Sequence, residues 1–389
     1  MRKRLLLALT AFLCIGVASA AVLVGLRVGS VKGRTTPPST PPPSASARPT
    51  LATPTPAPTN GATVYLYYYL WWTPQHWVSK LGPDYPLKAS PLPRPGSTNS
   101  AGCAPAVNYS GASIVDLPQA GLYDQNSSSV YAAQIGQAAQ AGVTGFLVSW
   151  QGTGLPNQAT GSSGYDRRLA LLVAAVDTYN RRNPAAPFHL ALALSAFGDY
   201  SRPAVAIVND LNYFAKAYAS NPAFTNRYSP FPVVIFMDSR KFSLATVKSV
   251  WTAENGRLYL VGDETPNTWA RDAPYLDGSS YYWSSENPTT NGRAGADLIS
   301  LAAQVRGDHK TWFAPFIPGY DTQLLGGSCV PRNGVSTLTT IWDLNAQSHP
   351  NGWFGISWNE FVENTYLQPS QAYGSEYLTQ LKRLIEGGA

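Results

Sequence analysis

The sequence predicts an α/β fold, a single (β/α)8 TIM barrel preceded by an N-terminal signal or anchor and a Pro-rich linker. Three observations carry that prediction. Eight apolar runs of strand length recur through residues 61–389, segments of helical period lie between them, and no second proline-rich break divides the span.

The runs are Val64 to Leu70, Gly145 to Trp150, Phe188 to Leu194, Pro232 to Met237, Arg257 to Val261, Ser279 to Trp283, Thr311 to Ile317 and Trp353 to Trp358. Between the first two, Ser129 to Ala141 sets Val130, Ala133, Ile135 and Ala138 near helical spacing, and Gly142 stops it. Arg167 to Asn180 is rich in Leu, Ala and Val and ends at Asn183-Pro184. Ala204 to Ala219, Leu244 to Ala253, Ala294 to Val305, Val335 to Ala346 and Ser375 to Ile385 supply further helices, whereas Asp263 to Gly278, with two prolines, reads as irregular. Strands that alternate with helices in this way run parallel under a helical cover, and eight of them suit closure better than an open sheet.

Ahead of the barrel, Arg2-Lys3-Arg4 precede 22 uncharged residues from Leu5 to Leu26, with Ala18-Ser-Ala20 as a cleavage signal inside the run. Residues 1–34 are therefore a signal peptide or a membrane anchor, since the run also has spanning length. Residues 35–60 form a Pro/Thr/Ser-rich linker, with nine prolines between 35 and 59 and no acidic residue, too poor in apolar surface to offset its ordering entropy. The domain, extracellular or held at the cell surface, then occupies 61–389.

Seven of the 28 basic residues precede residue 61, leaving 21 against 22 acidic ones in the domain. That balance removes the electrostatic case for a nucleic-acid partner. The four histidines, at 76, 189, 309 and 349, share no paired spacing, so neither a metal nor another cofactor is expected. Beyond the leader only Cys103 and Cys329 remain, either bridged in an oxidising compartment or left as two buried thiols.

A barrel places its chemistry at the carboxyl ends of its strands. Trp71-Trp72 and His76-Trp77 follow the first run, Gln151 the second, Ser195 the third, Asp238 and Arg240 the fourth and Asp263-Glu264 the fifth. Ser284 to Asn287 follow the sixth, Tyr320-Asp321 the seventh and Asn359 to Glu363 the eighth. The last stands out, because Glu360 and Glu363 lie three positions apart beside Trp358 and Asn359 in a chain with only 22 acidic residues. Two carboxyl groups are what glycoside cleavage needs, one to protonate the leaving oxygen and one to act as base. Acidic residues at the start of a surface helix are the alternative. With 11 Trp and 22 Tyr in a chain 13% charged, a groove that packs aromatic faces against neutral sugars is in keeping, although many of these rings serve as core.

Ser357-Trp-Asn359-Glu360-Phe-Val-Glu363-Asn-Thr365-Tyr-Leu-Gln368-Pro369 resembles the pattern S/T-x-N-E-x-x-E-x-T-x-I-E-P of the endo-acting α-mannosidases and α-mannanases, the family 99-like glycoside hydrolases with their bacterial WbsX-like relatives. Tyr67-Tyr68-Tyr69 with His76-Trp77, Tyr123-Asp124, Ala141 to Trp150, and Pro318-Gly-Tyr320-Asp321 with Arg332 and Trp342 extend the likeness over Tyr65 to Leu384. The chain departs from the pattern at Gln151, where the family has Trp, at Phe361-Val362 in place of Trp-His, at Asn364 in place of Gly and at Gln368 in place of a third carboxylate; residues Val78 to Val115 look expanded.

The resemblance implies an oligo- or polysaccharide substrate with α linkages. It makes Glu363 the general acid, later the base that activates water, and Glu360 the base that deprotonates the substrate's own 2-hydroxyl, with net retention through a 1,2-anhydro sugar. It offers Tyr68, Tyr69, His76, Trp150, Gln151, Tyr320, Asp321, Trp358 and Asn359 as sugar contacts. The departures leave two other readings open, a carbohydrate-binding barrel that has lost turnover and a hydrolase of another α-glycan in cell-envelope polysaccharide metabolism.

Overall fold

The computed structural model of the chain describes residues 61, 63–86, 103, 112–152, 164–195, 199–282, 286 and 291–387. The expected leader and linker lie outside these, as do residues 87–102 and 104–111 of the expanded stretch and Ser284, Ser285 and Asn287 after the sixth run.

Eight strands close into a parallel barrel: β1 (Thr63–Tyr69), β2 (Gly145–Trp150), β3 (His189–Leu194), β4 (Val233–Phe236), β5 (Tyr259–Asp263), β6 (Gly278–Ser280), β7 (Thr311–Phe316) and, after an antiparallel hairpin of β8 (Tyr320–Asp321) and β9 (Cys329–Val330), β10 (Gly352–Gly355). β1 pairs with β10 on one side and β2 on the other, which completes the circle. Helices α1 (Pro74–Leu81) and α2 (Ser128–Gln140) lead from β1 to β2; α3 (Tyr165–Arg182), α4 (Ala204–Tyr218), α5 (Leu244–Glu254), α6 (Pro266–Asp272), α7 (Gly292–Gly307) and α8 (Ser336–Ala346) lie between later strands, and α9 (Glu376–Ile385) follows β10.

Two segments differ from the sequence expectation, and proline accounts for both. Asp263 to Gly278, expected to be irregular, contains α6. Pro266 occupies its first turn, where a missing N–H costs nothing, and Thr265 with Thr268 forms a capping box. In the same way Pro74 opens the unanticipated α1, which Thr73 caps by accepting from the His76 N–H at 3.3 Å. The fifth and sixth strands are also offset, β5 running on to Asp263 and β6 ending at Ser280.

Strand register decides which side chains face the barrel axis. Tyr65 is the partner of both Phe354 and Gly145, and Phe354 stacks on Phe313 with ring centroids 4.1 Å apart inside the barrel. Alternation then turns Tyr67, Tyr69 and Ser149 inward with Tyr65. The opposite set packs under the helices. Tyr68 lies 4.5 Å from Phe146, Trp150 stacks on Tyr213 of α4, and Trp342 of α8 stacks on Trp353 at 3.9 Å. A smaller cluster of Trp72, Trp77, Leu81, Ile114, Phe361 and Tyr366 sits at the carboxyl end of β1 and β10, and Cys103 is bridged to Cys329. The bridge settles the cysteine alternative.

Candidate active site

After β10 the chain forms a loop rather than a helix, and the two glutamates ride on it. Trp358 N–H donates to Tyr67 C=O at 2.8 Å, continuing the pairing with β1. Asn359 then does the work of a strand residue with its side chain: Oδ1 accepts from Tyr69 N–H at 2.8 Å while Nδ2 donates to Tyr69 C=O at 2.9 Å. A side-chain amide offers a donor and an acceptor side by side, as this two-point contact with the Tyr69 backbone needs. Trp72 Nε1 donates to Asn359 C=O at 2.6 Å, and Phe361 stacks on Tyr366 at 4.2 Å within the small cluster. Phe361, one of the departures from the family pattern, is thus a packing anchor for the loop.

Glu360 is buried, 2% exposed, which excludes a surface helix start. Burial first, then the charge of Glu363, pushes its carboxyl up to about 8, while the N–H groups of Val362 and Glu363 pull the other way. Those N–H groups reach Oε1 at 2.7 and 3.4 Å. Glu363 is half-buried and its Oε2 accepts from the Tyr282 hydroxyl at 3.1 Å. The Tyr282 and Tyr69 hydroxyls are 2.7 Å apart, and both are pushed well above the ordinary tyrosine value, by burial and then by Glu363, so they remain protonated donors. Burial and the neighbouring charge thus favour the protonated form of Glu360 at neutral pH.

At and beyond the carboxyl ends of the strands several buried polar atoms have no hydrogen-bond partner among the described residues. They include Tyr67 Oη, Ser149 Oγ, Gln151 Oε1, Ser280 Oγ, Asp321 Oδ2 and Asn364 Oδ1. Buried polar atoms cost free energy unless something hydrogen-bonds them, so these atoms are open to a hydrogen-bonding partner. Asp263, at the end of β5, is fully committed instead: it accepts from Tyr282 N–H and Asp238 N–H, both at 2.9 Å, and pairs with Arg240 at 2.6 Å.

Of the residues expected to touch sugar, Tyr69 and Gln151 face this end of the barrel, and Asp321 joins it through its N–H, which donates to Glu363 C=O at 2.8 Å. Burial raises the Asp321 carboxyl above its ordinary value. Tyr320 is half-buried and its hydroxyl accepts from Thr322 Oγ1 at 3.0 Å. His76 stacks 5.8 Å from Trp71, itself 4.4 Å from Tyr69; burial, then Lys80 and Arg168, depress its ring to about 4, so it is neutral.

Tyr68, Trp150 and Trp358 do not line the opening. The Tyr68 hydroxyl donates to Gln134 of α2 at 2.5 Å, Trp150 packs on α4, and the buried Trp358 ring lies 5.4 Å from Phe146 in the helix-facing layer. The parity of Trp150 is that of Tyr68, opposite to Tyr67. Asn359 is likewise spent on β1. Two inward residues were not among the expected sugar contacts, Tyr67 and Tyr282, which meet edge to face at 5.1 Å. Counting alternate positions from the glycines and serines of β6 would have exposed Tyr282. Among the described residues no group of three or more His, Cys, Asp or Glu is arranged to hold a metal ion.

No protein-family model matches the sequence, and no curated protein does. Solved structures are more informative. A GH99 endo-α-mannosidase from Bacteroides thetaiotaomicron superposes with a TM-score of 0.62 at 16% identity, over 83% of this chain and 96% of that one. Its complex with bis-tris-propane gives 0.63 at 15%, over 84% and 97%. A glycoside hydrolase-like protein gives 0.57 at 14%, over 77% and 96%. Likeness at such identities is a likeness of fold: this chain has the (β/α)8 barrel fold of the GH99 endo-α-mannosidases.

Proposed function

We propose that this protein is a glycoside hydrolase acting on an α-linked polysaccharide or glycan, with Glu360 and Glu363 as its catalytic pair. The observation that carries the reading is the pair itself: two carboxyls three positions apart on one loop, one buried and one half-buried, at the carboxyl end of a barrel whose strand ends carry partnerless polar atoms. α-Mannosidic linkages are the first to test, because the structures of similar fold include endo-α-mannosidases.

In the free protein the deeper Glu360 holds the proton. A substrate 2-hydroxyl that donates to Glu360 favours its carboxylate and moves the shared proton to Glu363. Glu360 then takes the hydroxyl proton as O2 attacks the anomeric carbon, while the glycosidic bond breaks and its oxygen takes the proton of Glu363. Water opens the resulting 1,2-anhydro sugar, giving a proton to Glu363 as O2 recovers one from Glu360, and the configuration is retained. Tyr282 holds Glu363 in line throughout.

The Cys103–Cys329 bridge supports a location outside the cytoplasm, secreted or anchored through the N-terminal segment. The test compares reducing-end release from α-mannans and other α-linked glycans by the wild-type protein and Glu363→Gln. Turnover should fall by at least ~1,000-fold with ligand binding kept, and near-normal hydrolysis by the variant sinks the assignment. NMR of the first-formed anomer should show retention; inversion counts against the anhydro-sugar route. Binding without any hydrolysis by the wild-type protein would make it a carbohydrate-binding barrel.

A further inference from the structure

Arg332 is buried, 5% exposed, yet among the described residues no carboxylate lies within ion-pair distance of it. Its charge is met in two other ways. One nitrogen, Nη2, donates to Asn364 C=O at 2.9 Å and to Tyr366 C=O at 2.8 Å. The guanidinium also lies over three aromatic rings, those of Tyr366, Tyr373 and Tyr377, at 4.4, 4.8 and 4.5 Å from their centroids. Burying a cation without a counter-ion is expensive, and a flat guanidinium is the side chain that can stack and donate at once. Gly319 makes room for it, since a Cβ there would come within 2.5 Å of Arg332 Cγ.

Both bonds fall just past Glu363. Asn364 is left-handed, φ 55°, an uncommon conformation for any residue but glycine. Asp321 of the β8–β9 hairpin, which runs on into Arg332, holds the preceding carbonyl, that of Glu363. Consecutive carbonyls of the loop, 363 and 364, are thus gripped by one short stretch of chain, while Thr365 C=O accepts from Ser357 N–H at 2.8 Å on the far side.

We propose that Arg332 is a positioning residue: seated on its three tyrosines, it fixes the turn after Glu363 and so sets where the Glu363 carboxyl stands relative to Glu360. The catalytic meaning of that placement rests on the hydrolase reading above; the clamp itself does not. Lysine cannot replace it, because an ammonium has neither the flat face nor the fork. Loss of the clamp lets Glu363 drift from Glu360 and weakens their mutual repulsion.

The experiment is a ¹³C NMR titration of glutamate carboxyls in the full-length protein, with Glu360→Gln to identify the high midpoint and Glu363→Gln to show how far it moves when the neighbouring charge is removed. In Arg332→Lys and Arg332→Met the midpoint should fall from about 8 by about one unit. Tyr373→Leu, which removes one stacking face and keeps the guanidinium, should move it the same way by less, and serves if the Arg332 variants fail to fold. Where an α-mannan is hydrolysed, kcat should fall at least ~10-fold with KM within ~3-fold. A folded variant with an unmoved midpoint overturns the proposal. Hydrolysis that depends on Glu363 but ignores Arg332 also removes the clamp and leaves the hydrolase reading standing. The expected titration in a protein that hydrolyses nothing does the reverse.

Discussion

At the scale of single residues, the position of one proton governs the behaviour of the site. Glu360 has its folded value raised above the ordinary carboxyl range, to about 8. Its contribution to stability is therefore fully present below the unfolded value near 4.5 and is lost as pH rises through about 8. Activity should follow, because a pair that has lost its single proton has no acid. A descending limb in kcat/KM near pH 8 is expected, and Glu360→Gln should flatten the matching fall in denaturation midpoint between pH 5 and 8. An unchanged pH–stability curve in that variant contradicts the assignment. Gln368, where the resembled pattern has a carboxylate, accepts through Oε1 from the Tyr123 hydroxyl at 3.0 Å, so it keeps an acceptor there without a charge.

At the scale of elements, the loop from Trp358 to Pro369 is held by its own hydrogen bonds and by the small cluster beneath it. Phe361 is fully buried there against Trp72, Trp77 and Tyr366. Phe361→Ala should lower unfolding free energy by roughly 3 kcal/mol in urea titrations and reduce hydrolysis even where the protein stays folded. Loss of stability with full activity would separate the cluster from the site. The order of strands was legible in the sequence because each is an apolar run with helical spacing between. Which face each strand residue takes was not. Strands of a parallel barrel are buried on both sides, so β1 carries tyrosines inward at 67 and 69 and outward at 68 with no polarity contrast to tell them apart. The segment of α6 reads as irregular in the sequence because of its two prolines, and α1 is not anticipated there, although at the first turn proline starts a helix. The tyrosines around Arg332 come from residues dozens of positions away, beyond any local pattern.

At the scale of the molecule, the paired glutamates were readable as chemistry, but the burial of Glu360 and the company of Tyr69 and Tyr282 required the barrel to close. The Cys103–Cys329 bridge spans 226 positions, and in the chain-entropy account a loop of that length stabilises by on the order of 5 kcal/mol. Replacing both cysteines by serine should lower the melting temperature by about 10 °C or less at this chain size, read by calorimetry with and without reductant; identical curves would show the bridge to be idle. Its placement has a topological result. The bridge turns the polypeptide into a covalent ring that contains β2 to β7, and leaves β1 and β10 on the two free tails. Those tails meet only by zipping to each other, and β10 leads directly to the glutamates. A chain nicked anywhere inside the ring therefore stays in one piece, whereas the seam between β1 and β10 is held by non-covalent pairing alone.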